Sequence, residues 1–487
     1  VHMPPVFGAR VKDYDVNGAD KIPGVRGIHR IASGVAVVAD GYWPARKALE
    51  QMTFTYDGPA EKLSSADIDA RLRELLDAGE GVSATVRGDA RKRIEGAKGG
   101  KVISRDYDAP FLAHATMQPI TGAARFTKDG LEIWTSSQSP GTAAARAAEI
   151  TGLSPDRITV HQMFLGGGFG RGAVPSADIQ AVELAAITKR PVKVIWSRED
   201  DIAHDYYRPT AKARLRALLA ADGKPEAVHV LVAAPSLAQG VGLPERDGYD
   251  PFSVEGLSDF PYAVPALEVT YARAETPVPL GFWRSVGHSF TAFFKESFID
   301  ELAVAAGQDP VAYRLALLDG APRQKEVVRL AAEKAGWDKP LPKGRFRGIA
   351  QHTCYGGYVA EVVEISVEDG APKLERVVAA VDCGLAINPR SIEAQIESAI
   401  VYGLSAARHG RITIADGAVE QSNFHDYPVI TIADMPKVEV HLVASSEAPG
   451  GVGEIGTPPI APALANAWHA ATGARLAALP LDFSGKA

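Results

Sequence analysis

Short apolar runs separated by turn residues fill the first sixty positions. Gly34 to Asp40 is apolar almost throughout and predicts a buried strand, and Pro44 to Met52 carries helical spacing directly behind it. Ser64, Ser65 and Asp67 offer cap oxygens to a helix whose apolar stripe is Ile68, Leu72, Leu75 and Leu76, closed by Gly79 and Gly81. The charged, glycine-bearing stretch from there to Lys101 predicts an exposed connector. Beyond it, strands are expected at Gly130 to Thr135, Arg157 to Leu165 and Val192 to Trp196, with helices from Thr142 to Thr151 and Ser176 to Thr188 between them. A later helix is expected from Ala292 to Ala306. A second block places strands at Val359 to Val367 and Glu375 to Asp382, and helices at Ile392 to Ala407 and Ile460 to Thr472.

Strands alternating with helices in this way define a mixed α/β or α+β fold. The breaks in pattern divide the chain into 1–60, a connector with a helix at 61–101, and two larger blocks at 102–340 and 341–487. No repeat of fixed period is visible.

Composition narrows the functional classes. Apolar residues make up 46% and charged residues 23%, so disorder is not indicated, and a formal charge of -7 disfavours a general polyanion binder such as a nucleic-acid protein. The richest apolar stretch, Ala461 to Leu481, is broken by His469 and Arg475, so no membrane span is encoded. Cys354 and Cys383 are the two cysteines, too few for a four-cysteine cluster, so any iron-sulfur chemistry belongs to a partner. The opening Val-His-Met reads as a fragment or processed product, and no signal-peptide pattern follows it.

Four segments carry candidate chemistry. Leu165 to Arg171 runs Leu-Gly-Gly-Gly-Phe-Gly-Arg, and consecutive glycines let backbone amides approach an anionic or oxo-bearing group; a tight strand-to-helix turn is the alternative. It matches neither the dinucleotide-binding register nor a P-loop. Pro449 to Pro459 sets Glu454 among glycines and apolar residues, where desolvation would make it a usable base; it is otherwise a solvated acid near a helix start capped by Thr457 with Pro458 in the first turn. Gly281 to His288 places Arg284 beside aromatic residues, suited to holding a carboxylate or flat ring, or to a cation-π contact that pins the loop. Val381 to Pro389 followed by Gln395 combines turn chemistry with an amide that is either a ligand contact or a buried structural group. Cys383 reads as a small core residue, Trp196 to Asp201 with His204 as a charged helix start, and His288 as structural; His114 and Gln138 stand at strand ends.

These segments occur in one order: Ser137-Gln138, Gly-Gly-Gly-Phe-Gly, Trp-Arg-Ser-Val-Gly, Asp-Cys-Gly with Asn-Pro and Gln395, then Gly-Val-Gly-Glu. The combination resembles the xanthine oxidase family of molybdenum hydroxylases, in particular the large subunits of isoquinoline 1-oxidoreductase and related bacterial aldehyde dehydrogenases. Arg198-Glu-Asp-Asp, His204-Asp-Tyr-Tyr-Arg-Pro and Gly450-Gly-Val-Gly-Glu carry the resemblance to that branch, which covers nearly the whole chain. It implies a partial hammerhead-like α+β domain at 1–60 followed by two molybdopterin-binding-type domains. It also implies that Gln138 bonds near the apical oxo ligand and that Gly167, Gly168, Phe169, Gly170, Arg171, Gln395 and Gly453 contact the cofactor. Arg284 would orient substrate or stabilise developing charge, and Glu454 would act as the general base on the water-derived oxygen. No side chain is expected to ligate the metal directly, since the pterin dithiolene holds it.

The resemblance further implies a molybdopterin cytosine dinucleotide and a small partner subunit with two 2Fe-2S clusters. A cytochrome c subunit and an aldehyde or N-heterocycle as substrate belong to the same picture, as does a periplasmic or partner-mediated membrane location, with the cytoplasm as the alternative. Three departures stand out. Gly172 replaces a second arginine, Ser398 replaces a glycine, and a Met-Gly-Gln-Gly segment is missing, to be supplied by another polypeptide or lost by truncation. Two other readings compete: a scaffold or maturation partner that keeps the fold without metal, and a nucleotide-dependent oxidoreductase using the Gly166 loop.

Overall fold

The computed structural model describes residues 1–59, 63–97 and 100–484, so the expected boundary at residues 60 and 61 lies outside the described residues. Near the start, the hairpin Val25–Ile31 with Gly34–Ala39 and the pair Arg10–Asp15 with Thr53–Asp57 enclose the helix Tyr42–Gln51. Val35, Val37, Ala48 and Met52 form its small apolar centre.

Three larger sheets carry the rest. A four-stranded sheet runs in the order Val192–Ile195, Thr121–Phe126, Leu131–Thr135, Ile158–Gln162, backed by the helix Ala177–Thr188. A five-stranded sheet has the order Val82–Arg87, Ala266–Ala274, Pro225–Pro235, Ala211–Leu219, Lys101–Ala109. The last large sheet is Arg345–Cys354, Gly357–Glu368, Ala371–Asp382, Lys437–Leu442. The helix His288–Ala305 is buried at every position from His288 to Ala303 and packs against strands of both the second and third sheets. A helix buried on every side belongs inside a large core rather than on a surface, and this one takes Lys295, Glu296, Asp300 and Glu301 in with it.

Several expectations are corrected. The stretch expected to be a connector forms Val82–Arg87, an edge strand paired with Ala266–Ala274, and the helix Ala90–Glu95, whose Ala90 and Ile94 are buried. The strand expected to reach Leu165 stops at Gln162, because Met163, Phe164 and Leu165 are exposed and enter the glycine loop. The helix Ile460–Thr472 has Pro459, not Thr457, at its cap; Thr457 is buried and its hydroxyl turns to the Ala399 carbonyl, 3.4 Å away. The helix Ser65–Ala78 does carry the expected Ser64 cap, reciprocated by Asp67. No helix among the described residues is long and apolar enough to cross a membrane.

Candidate active site

Beyond the strand Ile158–Gln162 the backbone coils through Gly167 and Phe169, both at positive φ (94° and 52°). The amides of Gly167, Gly168 and Phe169 find no acceptor among the described residues, so the loop presents a concave run of donors suited to an anion. Gln138 shapes it from behind: its Oε1 accepts from the amides of Gly170 at 3.0 Å and Gly172 at 3.2 Å. The carbonyl of Gln138 is thus spent on the loop, leaving Nε2 as the donor it can offer outward. Gly170 has φ 108°, and a Cβ there would lie 1.6 Å from the Phe282 carbonyl oxygen, so the glycine loop touches the arginine segment at a point that admits no side chain.

In that second segment Arg284 is 4% exposed and its fork is filled by the protein. Nε donates to the Gly453 carbonyl at 2.8 Å and Nη1 to Ser398 Oγ at 3.0 Å. Nη2 reaches Gly453 O at 2.5 Å, Gln395 O at 3.3 Å and Gln395 Oε1 at 3.2 Å. Each nitrogen is engaged by the protein, and the residue joins the loop of Glu454 to the helix Pro389–His409. Its guanidinium also lies 5.7 Å from the Phe169 ring centre and 6.0 Å from that of Tyr402, which ties it to the glycine loop. Phe169 stacks on Tyr402 at 4.2 Å, and Trp283 on Tyr402 at 4.7 Å.

Glu454 follows Gly453 in a loop where the amides of Val452, Gly453 and Glu454 also find no acceptor among the described residues. Its Oε1 accepts from the Ser285 amide at 3.2 Å, and Ser285 Oγ donates to the Glu454 carbonyl at 2.7 Å. Burial pushes the carboxyl above its ordinary range, against the smaller opposing effects of the Ser285 N–H and the Arg284 charge. Ser285 is fully buried and stands at φ 73°, with Val286 at 50° after it. Two successive non-glycine residues in this region are strained, and here they aim one amide at the candidate base.

Arg171, expected at the cofactor, is 1% exposed and turned into the protein. Its Nε lies 2.9 Å from Asp205 Oδ1, and its other nitrogens donate to Val174 O at 3.1 Å and Ser176 Oγ at 2.9 Å. Asp205 also takes the His114 amide at 2.6 Å, with His114 Nδ1 3.0 Å from both its oxygens. Burial alone would raise Asp205, but His114 and Arg171 hold it below its ordinary value. His114 Nε2 then reaches the Phe282 carbonyl at 2.7 Å, so this buried cluster braces the junction of the two segments.

The structure thus gathers Gln138, the Gly167–Gly170 loop, Arg284, Gln395, Gly453 and Glu454, and sends Arg171 elsewhere. Sequence reasoning missed Ser285, Ser398 and Tyr402. A signal existed for two of them: Gln395, Ser398 and Tyr402 are spaced i, i+3, i+7, one face of a helix. Ser398, read as a departure from the family pattern, supplies an acceptor to Arg284. Phe169, Trp283 and Tyr402 line a cavity of about 460 Å³ together with Ser398, Val401 and Ser405 of that helix. Neither Glu454 nor Gln395 lines it, and Phe169, Ser398 and Tyr402 are shared between the cavity and the surroundings of Arg284.

Comparison with known proteins fits this arrangement. Two families, each described as a molybdopterin cofactor-binding domain, match residues 77–317 and 299–436. The chain is 30% identical to the beta subunit of isoquinoline 1-oxidoreductase from Brevundimonas diminuta, over 99% of this chain and 64% of that protein. It is 30% identical to a membrane-bound aldehyde dehydrogenase (pyrroloquinoline-quinone) of Gluconacetobacter polyoxogenes, over 98% of this chain and 67% of that one. The B subunit of nicotinate dehydrogenase from Pseudomonas putida is 28% identical over 96% of this chain and 41% of its own length. The chain therefore spans about two thirds or less of the length of these relatives. In fold, it superimposes on quinoline 2-oxidoreductase of Pseudomonas putida 86 with a TM-score of 0.81 at 14% identity, covering 98% of this chain and 92% of that one. The aldehyde oxidoreductase of Desulfovibrio gigas gives 0.79 at 15% identity, covering 98% and 75%.

The chain belongs to the xanthine oxidase family, as a molybdopterin-binding large subunit. The cofactor of such a subunit is a molybdenum-molybdopterin. The residues present suit it, because two glycine-rich loops joined through Arg284 expose unpartnered backbone amides, the donors an oxo- and phosphate-bearing group requires.

Proposed function

We propose that this chain is the cofactor-binding subunit of an enzyme that hydroxylates aldehydes or N-heterocycles with oxygen from water, Glu454 acting as general base. The observation that carries the reading is the hold on Glu454: Arg284 fixes the carbonyl before it, Ser285 fixes one of its carboxylate oxygens, and burial makes the carboxyl more basic. With Oε1 held by the Ser285 amide, Oε2 is the atom left to take a proton. When bound, the molybdenum-pterin, here assigned as the cytosine dinucleotide form, supplies the two-electron redox chemistry. The amides of Gly167, Gly168 and Phe169, with Nε2 of Gln138 and of Gln395, would hold it, and the amide of Gly453 is a further donor. Glu454 then removes the proton from the attacking oxygen as it bonds to an electron-poor substrate carbon.

Aldehydes and nitrogen rings are assigned as substrates because the relatives named above act on an aldehyde, isoquinoline and nicotinate. Electrons would leave through a small subunit with two 2Fe-2S clusters, with a cytochrome c as a further carrier and the periplasm as the setting. Metal and pterin analysis of the co-purified complex tests the reading, followed by turnover with an aldehyde and with an N-heterocycle. Molybdenum and a cytosine-bearing pterin, with oxidation of one substrate class, are expected. A complex that holds nicotinamide or flavin in place of a pterin, or no molybdenum, would overturn it.

A further inference from the structure

The turn that grips Glu454 grips a second carboxylate two residues on. Ser285 N–H serves Glu454, and Gly287 N–H donates to Glu255 Oε1 at 2.7 Å, with the His288 amide 3.4 Å from the same oxygen. A Cβ on Gly287 would lie 1.7 Å from the Phe252 carbonyl oxygen, so this close approach depends on glycine. Behind Glu255 runs a line of titratable groups. His288 Nε2 is 3.6 Å from Glu255 Oε2, His288 Nδ1 is 2.8 Å from His352 Nε2, and His352 Nδ1 is 3.3 Å from Lys295 Nζ. Lys295 is 2% exposed and His352 fully buried, and Lys295 is anchored by a bond to the Gly256 carbonyl at 3.1 Å.

These contacts fix the tautomers in two self-consistent ways. With Lys295 charged, it donates to His352 Nδ1, His352 Nε2–H donates to His288 Nδ1, and His288 Nε2–H faces the Glu255 carboxylate. With Lys295 neutral, every bond reverses: His352 Nδ1–H points to the amine, His288 Nδ1–H to His352, and His288 Nε2 is free to accept a proton from Glu255. The environment brings the two states close. Burial, with Asp250 and Asp259 nearby, pushes Glu255 up to about 8 against the Gly287 and His288 amides. Burial lowers Lys295, against Glu296, Asp259 and Cys354, and Glu296 is itself occupied by Arg314 at 3.0 Å. Both imidazoles are held below their ordinary value by burial and by the Lys295 charge, Asp259 opposing this at His288.

We propose that Glu255, His288, His352 and Lys295 form a proton relay that receives the proton taken up by Glu454, a role that rests on Glu454 being the base. Tyr355 lies within electrostatic reach of both carboxylates. Its ring meets His288 edge-on with centres 5.5 Å apart, the Gly451 amide bonds its carbonyl at 2.8 Å, and both Glu255 and Glu454 add to burial in raising its phenol. The step balances without a redox partner. Protonated Glu454 gives its proton, through water, to the Glu255 carboxylate. Glu255 passes a proton to His288 Nε2, His288 Nδ1–H to His352 Nε2, and His352 Nδ1–H to the Lys295 amine, which becomes the ammonium. Glu454 is left ionised, and the line is reset when Lys295 returns its proton along it to Glu255, whose part-exposed carboxyl releases it to water.

The test uses the holoenzyme labelled with nitrogen-15 at histidine, with ring-nitrogen shifts followed between about pH 6 and about pH 10. His288 and His352 should exchange the protonated nitrogen together in one transition, and neither should do so in Glu255→Gln or Lys295→Met. Glu255→Gln keeps an acceptor for the Gly287 amide, so it gives the reading if Lys295→Met fails to fold. Steady-state turnover in Glu255→Gln should fall about tenfold and recover with added imidazole buffer. Independent titration of the two histidines, or unchanged tautomers and turnover in Glu255→Gln while Glu454→Gln is inactive, overturns the relay and leaves the base in place. Wild-type turnover in Glu454→Gln overturns the base assignment and, with it, the relay's source of protons.

Discussion

Arg284 donates two hydrogen bonds to the carbonyl of Gly453, the residue immediately before Glu454. A residue without a free nitrogen for substrate can still govern the reaction by setting where the base stands. Charge-assisted hydrogen bonds of this kind are each worth about 1.5–3 kcal/mol, and a lysine can replace one of them but not the fork. Arg284→Lys should therefore lower kcat about tenfold or more with little change in KM and a reduced melting temperature. Steady-state kinetics beside thermal denaturation read both. A large rise in KM at constant kcat would mean that Arg284 does meet substrate.

Removing the partner of a buried cation leaves an uncompensated charge, a loss of about 3–5 kcal/mol. Asp205→Asn should accordingly destabilise the fold strongly by stranding Arg171, while the fraction that remains folded keeps its molybdenum. Chemical denaturation combined with metal analysis of the folded fraction checks this. Loss of metal at unchanged stability would return Arg171 to the cofactor site.

Gly170→Ala forces a Cβ against the Phe282 carbonyl at φ 108° and should cost about 2 kcal/mol or more, together with cofactor content. Gly141→Ala, in the helix Pro140–Thr151 where a Cβ meets nothing within 4 Å, should be neutral or stabilising. Melting temperatures of the pair separate close packing from a general intolerance of substitution.

Glu255 has its folded-state pKa raised to about 8, above the roughly 4.3 of an unfolded chain. The folded protein therefore binds this proton more tightly. The stability it contributes is complete below about pH 4 and is lost as pH climbs through about 8. Glu255→Gln removes the titration, so its melting temperature relative to wild type should rise between about pH 5 and about pH 9. A difference that stays flat with pH would show that Glu255 is not perturbed in this way.

How much of this was legible in the sequence follows from the range of the interactions. The Ser64 cap, the Ile460–Thr472 helix and the glycine loops are set by neighbours a few positions away, and they could be read directly. The strand Val82–Arg87 was hidden because it is short, largely exposed and paired with Ala266–Ala274, so nothing local marks it. The same holds for the arginines. Local sequence places Arg171 and Arg284 beside glycines and aromatics, but Asp205 draws the first inward and Gly453, 169 residues on, captures the second. The order of the motifs located the site, whereas which side chains support it and which face it is decided by tertiary contacts.

The most direct measurement is reduction of the molybdenum-loaded complex by a single portion of substrate, compared between wild type and Glu454→Gln at matched metal and pterin content. General-base catalysis by a positioned carboxylate contributes about 10²–10⁴-fold, so the variant should reduce slower by that factor and lack the acid-side fall in rate expected of wild type. A variant that reduces at the wild-type rate, with its cofactor intact, would contradict the assignment of Glu454 as the base.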